Sequence, residues 1–255
     1  MEFFQSGEAR IAFIDLAPEG EDRDEPIVLV HGFASNQAVN WGSTLWTRTL
    51  ARDGRRVVAL DNRGHGQSQK FYEPASYSLR TMAADVLALM DHLGIATADV
   101  MGYSMGARIT SFLASDHPGR VRSAIFGGLG MRLLTSDPNY LAIVEAMEAP
   151  SRDVLTDPLQ RTFRAFAEQT RSDLAALAAC MRGTRELLTV EEAAAIFVPV
   201  LVAAGTKDDL ARDYRELADL IPGATLLEIP NRDHNLAVGD KVYKKGVLDF
   251  LSRRP

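Results

Sequence analysis

With a single cysteine, Cys180, in 255 residues, the chain can form no intrachain disulfide. No Cys/His spacing suggests a metal site either. Cys180 sits in the apolar, helically spaced run 174–181, where a cysteine is expected to be a small buried hydrophobe rather than a reactive thiol. An excess of basic residues is also missing: 28 Lys and Arg face 34 Asp and Glu, a formal charge of −6. Nucleic acid and anionic membrane are therefore excluded as partners, since both need a basic surface. No run approaches the roughly 18 apolar residues of a spanning helix. Residues 1–10 lack a basic segment followed by an apolar one, so no secretory leader is expected and the cytoplasm is the default compartment. Repeats, low-complexity tracts and flexible linkers are absent too.

What remains is ordinary globular composition, 46% hydrophobic and 24% charged, enough for a sizeable core. Short apolar runs alternate with amphipathic stretches, the rhythm of a mostly parallel sheet covered by helices. Phe3–Gln5 and Ile11–Leu16 read as an opening strand pair. Ile27–Val30, Val57–Leu60, Asp99–Tyr103, Arg122–Gly127, Val198–Ala204 and Ala224–Ile229 follow as further strands, several continuous and β-branched as expected of strands buried on both faces. Leu79–Leu93 carries apolar residues at spacings of three and four and stops at Gly94. Leu210, Tyr214, Leu217 and Ile221 form another stripe, and a last helix is expected from about Asp240 to Leu251. Residues 131–195 break the alternation: they predict several helices and no strand. Asp157-Pro158 has the form of a cap followed by a first-turn proline, and Thr189 with Glu192 has capping-box spacing. This divides the chain into a core, 1–130 and 196–255, and a helical cap, 131–195, lying over the carboxyl ends of the strands, where ligands of α/β folds bind.

The strongest chemical signal is Gly102-Tyr103-Ser104-Met105-Gly106, between an expected strand and an expected helix (Met105–His117). A G-x-S-x-G turn in that context lifts its serine above the sheet, beside a helix N-terminus that favours developing negative charge. A serine hydroxyl needs a base, and His234, in a polar loop after the last expected strand, is the candidate. His92 and His117 lie near helix ends, and His31 is read as pinning its own loop. The acid that orients the imidazole is expected in Gly205-Thr206-Lys207-Asp208-Asp209, with Asp208 preferred and Asp209 the alternative; one of the two is expected to cap a helix starting at Leu210. Backbone N–H groups of Phe33, after His31-Gly32, and of Met105 are candidates for an oxyanion hole. Asp61 and Arg63 are expected to tie together the loop Asp61–Ser68, whose Gly64-x-Gly66 lacks the rest of any nucleotide-binding fingerprint. A pocket is expected near Phe33, Tyr103 and Met105. Met131, Phe163, Phe166 and Met181 are candidates for an apolar wall, although packing within the cap is their ordinary role. Trp41 and Trp46 are candidates for the mouth. Arg108 and the arginines of the cap are candidates for binding a substrate carboxylate, although acids interleave with them and solvated faces are their expected place.

Taken together, His31-Gly32-Phe33, Asp61-x-Arg63-Gly64-x-Gly66-x-Ser68, Gly102-x-Ser104-x-Gly106, Gly205-x-x-Asp208 and Asp233-His234 resemble the α/β-hydrolase superfamily over nearly the whole chain. The resemblance implies a mostly parallel eight-stranded sheet flanked by helices, with a cap. It also implies a Ser104–His234–Asp208 triad that attacks ester-like bonds of a small, apolar substrate with no metal or organic cofactor. Dehalogenases and epoxide hydrolases of this superfamily carry aspartate at the elbow, where this chain has Ser104. Lactonases, carbon–carbon bond hydrolases, perhydrolases, cofactor-independent oxygenases and a non-catalytic ligand-binding module all remain open, because fold and triad do not choose among them.

Overall fold

The computed structural model describes residues 1–136 and 138–254. Eight strands form one sheet: β1 (Glu2–Ser6), β2 (Ala9–Leu16), β3 (Ile27–Val30), β4 (Val57–Leu60), β5 (Ala98–Tyr103), β6 (Val121–Gly127), β7 (Val200–Gly205) and β8 (Thr225–Ile229). Their spatial order is β1-β2-β4-β3-β5-β6-β7-β8. β1 pairs antiparallel with β2, and β2 with β4; every other pairing is parallel. The expected strands are thus present, with ends shifted by one or two residues.

Ten α-helices accompany them among the described residues: α1 (Trp46–Arg52), α2 (Leu79–His92), α3 (Met105–Asp116), α4 (Tyr140–Glu148), α5 (Pro158–Gln169), α6 (Leu174–Gly183), α7 (Val190–Ala194), α8 (Tyr214–Leu220), α9 (His234–Ala237) and α10 (Lys241–Arg253). The period-2 geometry of the central strands sorts the core into two layers. Val28, Val30, Val58, Leu60, Val100, Phe126 and Val202 face one layer, with the apolar stripes of α2, α3 and α8. Ile27, Leu29, Val57, Ala59, Met101, Ile125 and Leu201 face the other, with α1 and α10. Burial on both faces is why these strands read as continuous apolar runs.

Helices α4 to α7 stand between β6 and β7 with no strand among them. Their starts are written locally. Asp157 accepts from the Leu159 and Gln160 amides, and Thr189 with Glu192 forms the reciprocal capping box. Cys180 is fully buried on α6, and burial pushes its thiol well above the usual range. None of the described helices is long and apolar enough to cross a membrane.

Three expectations are corrected here. Trp41 and Trp46 are wholly buried rather than at a pocket mouth. Trp46 packs edge-on to Tyr243 and donates to the Val238 carbonyl at 2.6 Å, because indole surface is worth more in the layer against α10 than at the rim. The helix expected from Leu210 begins at Tyr214, after Asp213 in a left-handed conformation (φ 62°). Arg63 does not pair with Asp61. It forks onto Asp85 of α2 at 2.7 and 2.8 Å, while the Asp61 carboxylate accepts the Gln37 and Gln67 amides, each at 2.8 Å. Both residues still hold the loop, but each through a different partner.

Candidate active site

Chain order places β3 between β4 and β5, so successive connections leave it in opposite directions and open a crevice at the carboxyl ends of β3 and β5. Two loops meet there. From β5 comes Ser104, with φ 55° and ψ −116°, a conformation that L residues rarely hold and that a surrounding structure must enforce. The enforcement is steric and hydrogen-bonded. A Cβ on Gly102 would strike the backbone of Gly106 and Ala107, and one on Gly106 would strike the Val30 carbonyl. The Ser104 amide donates to the Gly127 carbonyl at 2.8 Å, and its own carbonyl accepts from Ala107 and Arg108. Met105 is the first residue of α3, where backbone amides have no acceptor within the helix.

From β3 comes His31-Gly32-Phe33. A Cβ on Gly32 would lie 3.2 Å from the Tyr103 carbonyl oxygen, tighter than ordinary contact, so a side chain there would press the two loops apart by a few tenths of an ångström unless the neighbour gave way. The Gly32 amide donates to Asn40 Oδ1 at 3.1 Å. His31 Nε2 accepts the Asn62 amide at 2.9 Å, which puts its proton on Nδ1, 2.7 Å from the Gly32 carbonyl. The expectation that His31 pins its loop matches this bond. His65 stacks edge-on between His31 and Phe33. Burial lowers the pKa of His31 to about 4; for His65, burial first and then the His31 charge lower it to about 3. Both rings are therefore neutral at physiological pH.

His234 opens α9, whose start is capped by Asp233. Its Nδ1 lies 2.8 Å from Asp208 Oδ2, and the other Asp208 oxygen accepts the Leu210 and Ala211 amides, each at 3.0 Å. The Asp208 side chain is fully buried. Asp209 is 81% exposed and pairs with Arg212, so of the two candidate acids only Asp208 meets the imidazole. Asp208 thus performs the cap-like role too, though no helix starts at Leu210.

Ser104 and His234 line one pocket together with Phe33, Met105 and Phe163. Phe33 and Phe163 face each other with ring centroids 6.2 Å apart. Met181 lines it as well, while Tyr103, Met131 and Phe166 do not. Tyr103 is buried behind the site and donates to the His234 carbonyl at 2.6 Å, because alternation along β5 sends it into the α10 layer. Met131 and Phe166 are half-buried and pack on the core.

Sequence reasoning missed several lining residues. Gly128 (φ 60°) has no room for a side chain: a Cβ would sit 3.0 Å from His234 Cε1. The Gly127-Gly128 pair at the end of β6 was the available signal. Arg108, Arg132 and Arg185 also line the pocket rather than lying on fully solvated faces, the place that the carboxylate-binding alternative for these arginines requires. Among the described residues, no group of three or more His, Cys, Asp or Glu is arranged to hold a metal ion.

This geometry can be set beside known proteins. A model of the alpha/beta hydrolase fold family matches residues 25–151. The enol-lactonase of Burkholderia xenovorans superposes with a TM-score of 0.77 at 25% identity, covering 99% of this chain and 100% of that one. The chain belongs to the α/β-hydrolase superfamily. A Mycobacterium tuberculosis protein named as a non-heme bromoperoxidase is 28% identical to this α/β-hydrolase over 246 residues, 87% of this chain and 91% of that protein. The acetyltransferase component of the acetoin cleaving system of Pseudomonas putida is 40% identical over 104 residues. The hydrolase spans only 26% of that component's length, and the matched part is 41% of its own.

Proposed function

We propose that this α/β-hydrolase cleaves ester-like bonds of a small molecule through an acyl-enzyme, with Ser104 as nucleophile, His234 as base and Asp208 as the carboxylate that orients it. One observation carries the reading. A serine held in a strained turn at the head of α3 shares a pocket with a histidine whose Nδ1 is engaged by a buried carboxylate. That engagement leaves Nε2 to take the Ser104 proton as Oγ attacks the carbonyl carbon. The Phe33 and Met105 amides are the proposed donors to the oxyanion. Collapse breaks the bond to the alcohol, which leaves with the proton from Nε2. Water, deprotonated by the same nitrogen, then releases the acid.

Residues 131–195 are proposed as the cap over this site. Phe163 on Phe33, the 2.8 Å bond from Thr170 Oγ1 to the Ala34 carbonyl, and Cys180 Sγ 3.9 Å from Met105 Sδ support it. Phe33, Phe163 and Met181 give the pocket an apolar wall. A cyclic ester is the second reading, favoured by the full-length likeness to an enol-lactonase; ring opening uses the same steps, with the leaving alcohol still tethered. The small-molecule partner and a cytoplasmic setting belong to the same proposal.

The test is a fluorophosphonate probe followed by intact-mass analysis and mapping of the adduct. A single adduct on Ser104, lost in Ser104→Ala and slowed in His234→Ala, is expected. A folded protein that gains no adduct would overturn the reading.

A further inference from the structure

The pocket carries an unexpected charge pattern. Three of its lining residues, Arg108, Arg132 and Arg185, bear guanidinium groups, and no Asp or Glu lines it among the described residues. This stands out in a protein whose net charge is −6. Arg185 is also held in place by its surroundings. Arg108, four residues beyond Ser104, donates to the Thr184 carbonyl at 3.1 Å and to the Glu186 carbonyl at 2.7 Å. The carbonyls on either side of Arg185 are thereby clamped to the helix that starts at the proposed nucleophile. The Arg185 guanidinium itself lies 3.5 Å over the ring of Tyr140, another lining residue. Stacking on an aromatic face restrains a guanidinium while leaving its N–H edge available to an anion.

We propose that the pocket selects substrates bearing a carboxylate and that Arg185, stacked on Tyr140 and clamped through Arg108, is the residue that binds it. The inference rests on the reading of Ser104 as a hydrolytic nucleophile and names the substrate class for that site. A fork of N–H donors matches a carboxylate in a bidentate pair. The remaining wall, Phe33, Leu129, Ile143, Phe163, Met181 and Leu210, suits a short carbon chain and gives a strongly hydrated phosphate dianion few partners. A carboxylate on a short acyl or alkyl chain satisfies both halves of the lining.

Two measurements test this, and only the first needs turnover. Mono-4-nitrophenyl glutarate is compared with 4-nitrophenyl pentanoate for a carboxylate on the acyl half. For a carboxylate on the alcohol half, 4-carboxyphenyl butanoate is compared with 4-carbamoylphenyl butanoate. At least one charged ester is expected to lead its neutral partner about tenfold or more in kcat/KM. Arg185→Gln is expected to cut that lead several-fold, mainly through KM, and Arg185→Lys to restore part of it. In the second measurement, calorimetry with glutarate is expected to show binding that Arg185→Gln weakens about tenfold, with glutaramide as the neutral control. Equal use of charged and neutral esters, a preference that survives Arg185→Gln, or inorganic phosphate binding as tightly as glutarate would overturn the proposal. Glutarate binding that depends on Arg185 in a protein whose Ser104 takes no fluorophosphonate would uphold the carboxylate site while overturning the hydrolytic one, so the two failures are told apart.

Discussion

Arginine is used in opposite ways at the two ends of the sheet. At the amino end of the parallel strands, Asp99 at the start of β5 is fully buried and meets Arg55 at 3.0 Å and Arg254 at 2.8 Å; Ser123 donates to it at 2.6 Å. Glu25 reaches the same two arginines at 2.8 and 3.0 Å. These guanidiniums are almost wholly removed from water and are matched by acids, and through Arg254 they fasten the end of α10 to the sheet. At the carboxyl end, Arg185 stacks on an aromatic ring in a pocket lined by no described acid. A buried charge must be paired to be tolerated, and the amino-end arginines are committed to buried acids and closed off from water. A half-buried guanidinium whose partners are a ring and neutral walls keeps its capacity to bind one.

The comparison can be pressed hardest at the carboxyl end. Asp208→Asn is expected to lower kcat on the order of 10³–10⁴-fold by losing the imidazole tautomer that Oδ2 imposes, whereas Asp209→Asn, at a surface ion pair, should stay within about twofold. Steady-state kinetics on any ester turned over by the wild type would decide it, and equal losses in both variants would refute the assignment. At the amino end the loss should fall on stability alone. Asp99→Asn leaves buried arginines short of a partner and is expected to cost about 3–5 kcal/mol in urea unfolding, with kcat per folded molecule unchanged. A kinetic defect in the folded fraction would mean the two ends are coupled.

The smallest effect separates the ends by pH. His31 and His65 have folded pKa values of about 4 and about 3, below the ordinary 6.5, so the unfolded chain takes up their protons first. Their contribution is complete above about pH 6.5 and is lost as pH falls, levelling off only below the folded values. Each is expected to remove about 2 kcal/mol between pH 7 and pH 5. Urea unfolding at both pH values should show His65→Asn losing about 2 kcal/mol less than the wild type; an unchanged difference would mean that His65 is not held neutral.

Much of this was legible from local pattern. The strands announce themselves as apolar runs because burial on both faces removes any need for polar alternation, and the Gly102–Gly106 turn is legible because only small residues fit its close approaches. The helix start at Tyr214 was not legible: Asp213 takes a left-handed turn that no Gly or Pro marks, and the apolar stripe begins one turn earlier. Arg63 was assigned to its neighbour Asp61 because nothing in the spacing points to Asp85, 22 residues away on α2. Tyr103 was placed in the pocket from adjacency to Ser104, but alternation along a strand sends adjacent side chains to opposite faces.

The sequence by itself determined the alternation of strands and helices, the strained turn at Ser104, and the polar loops that follow the strand ends with Asp208 and His234. Each of these follows from residue volume, backbone freedom or the period of a local element. Tertiary structure alone decided that Asp208 rather than Asp209 meets His234 and that both tryptophans are core. It alone turned three arginines, separated in the chain by 24 and 53 positions, onto one pocket. Those outcomes depend on which face of one element packs against another, and partners brought together across the sheet leave no mark in the spacing of either segment.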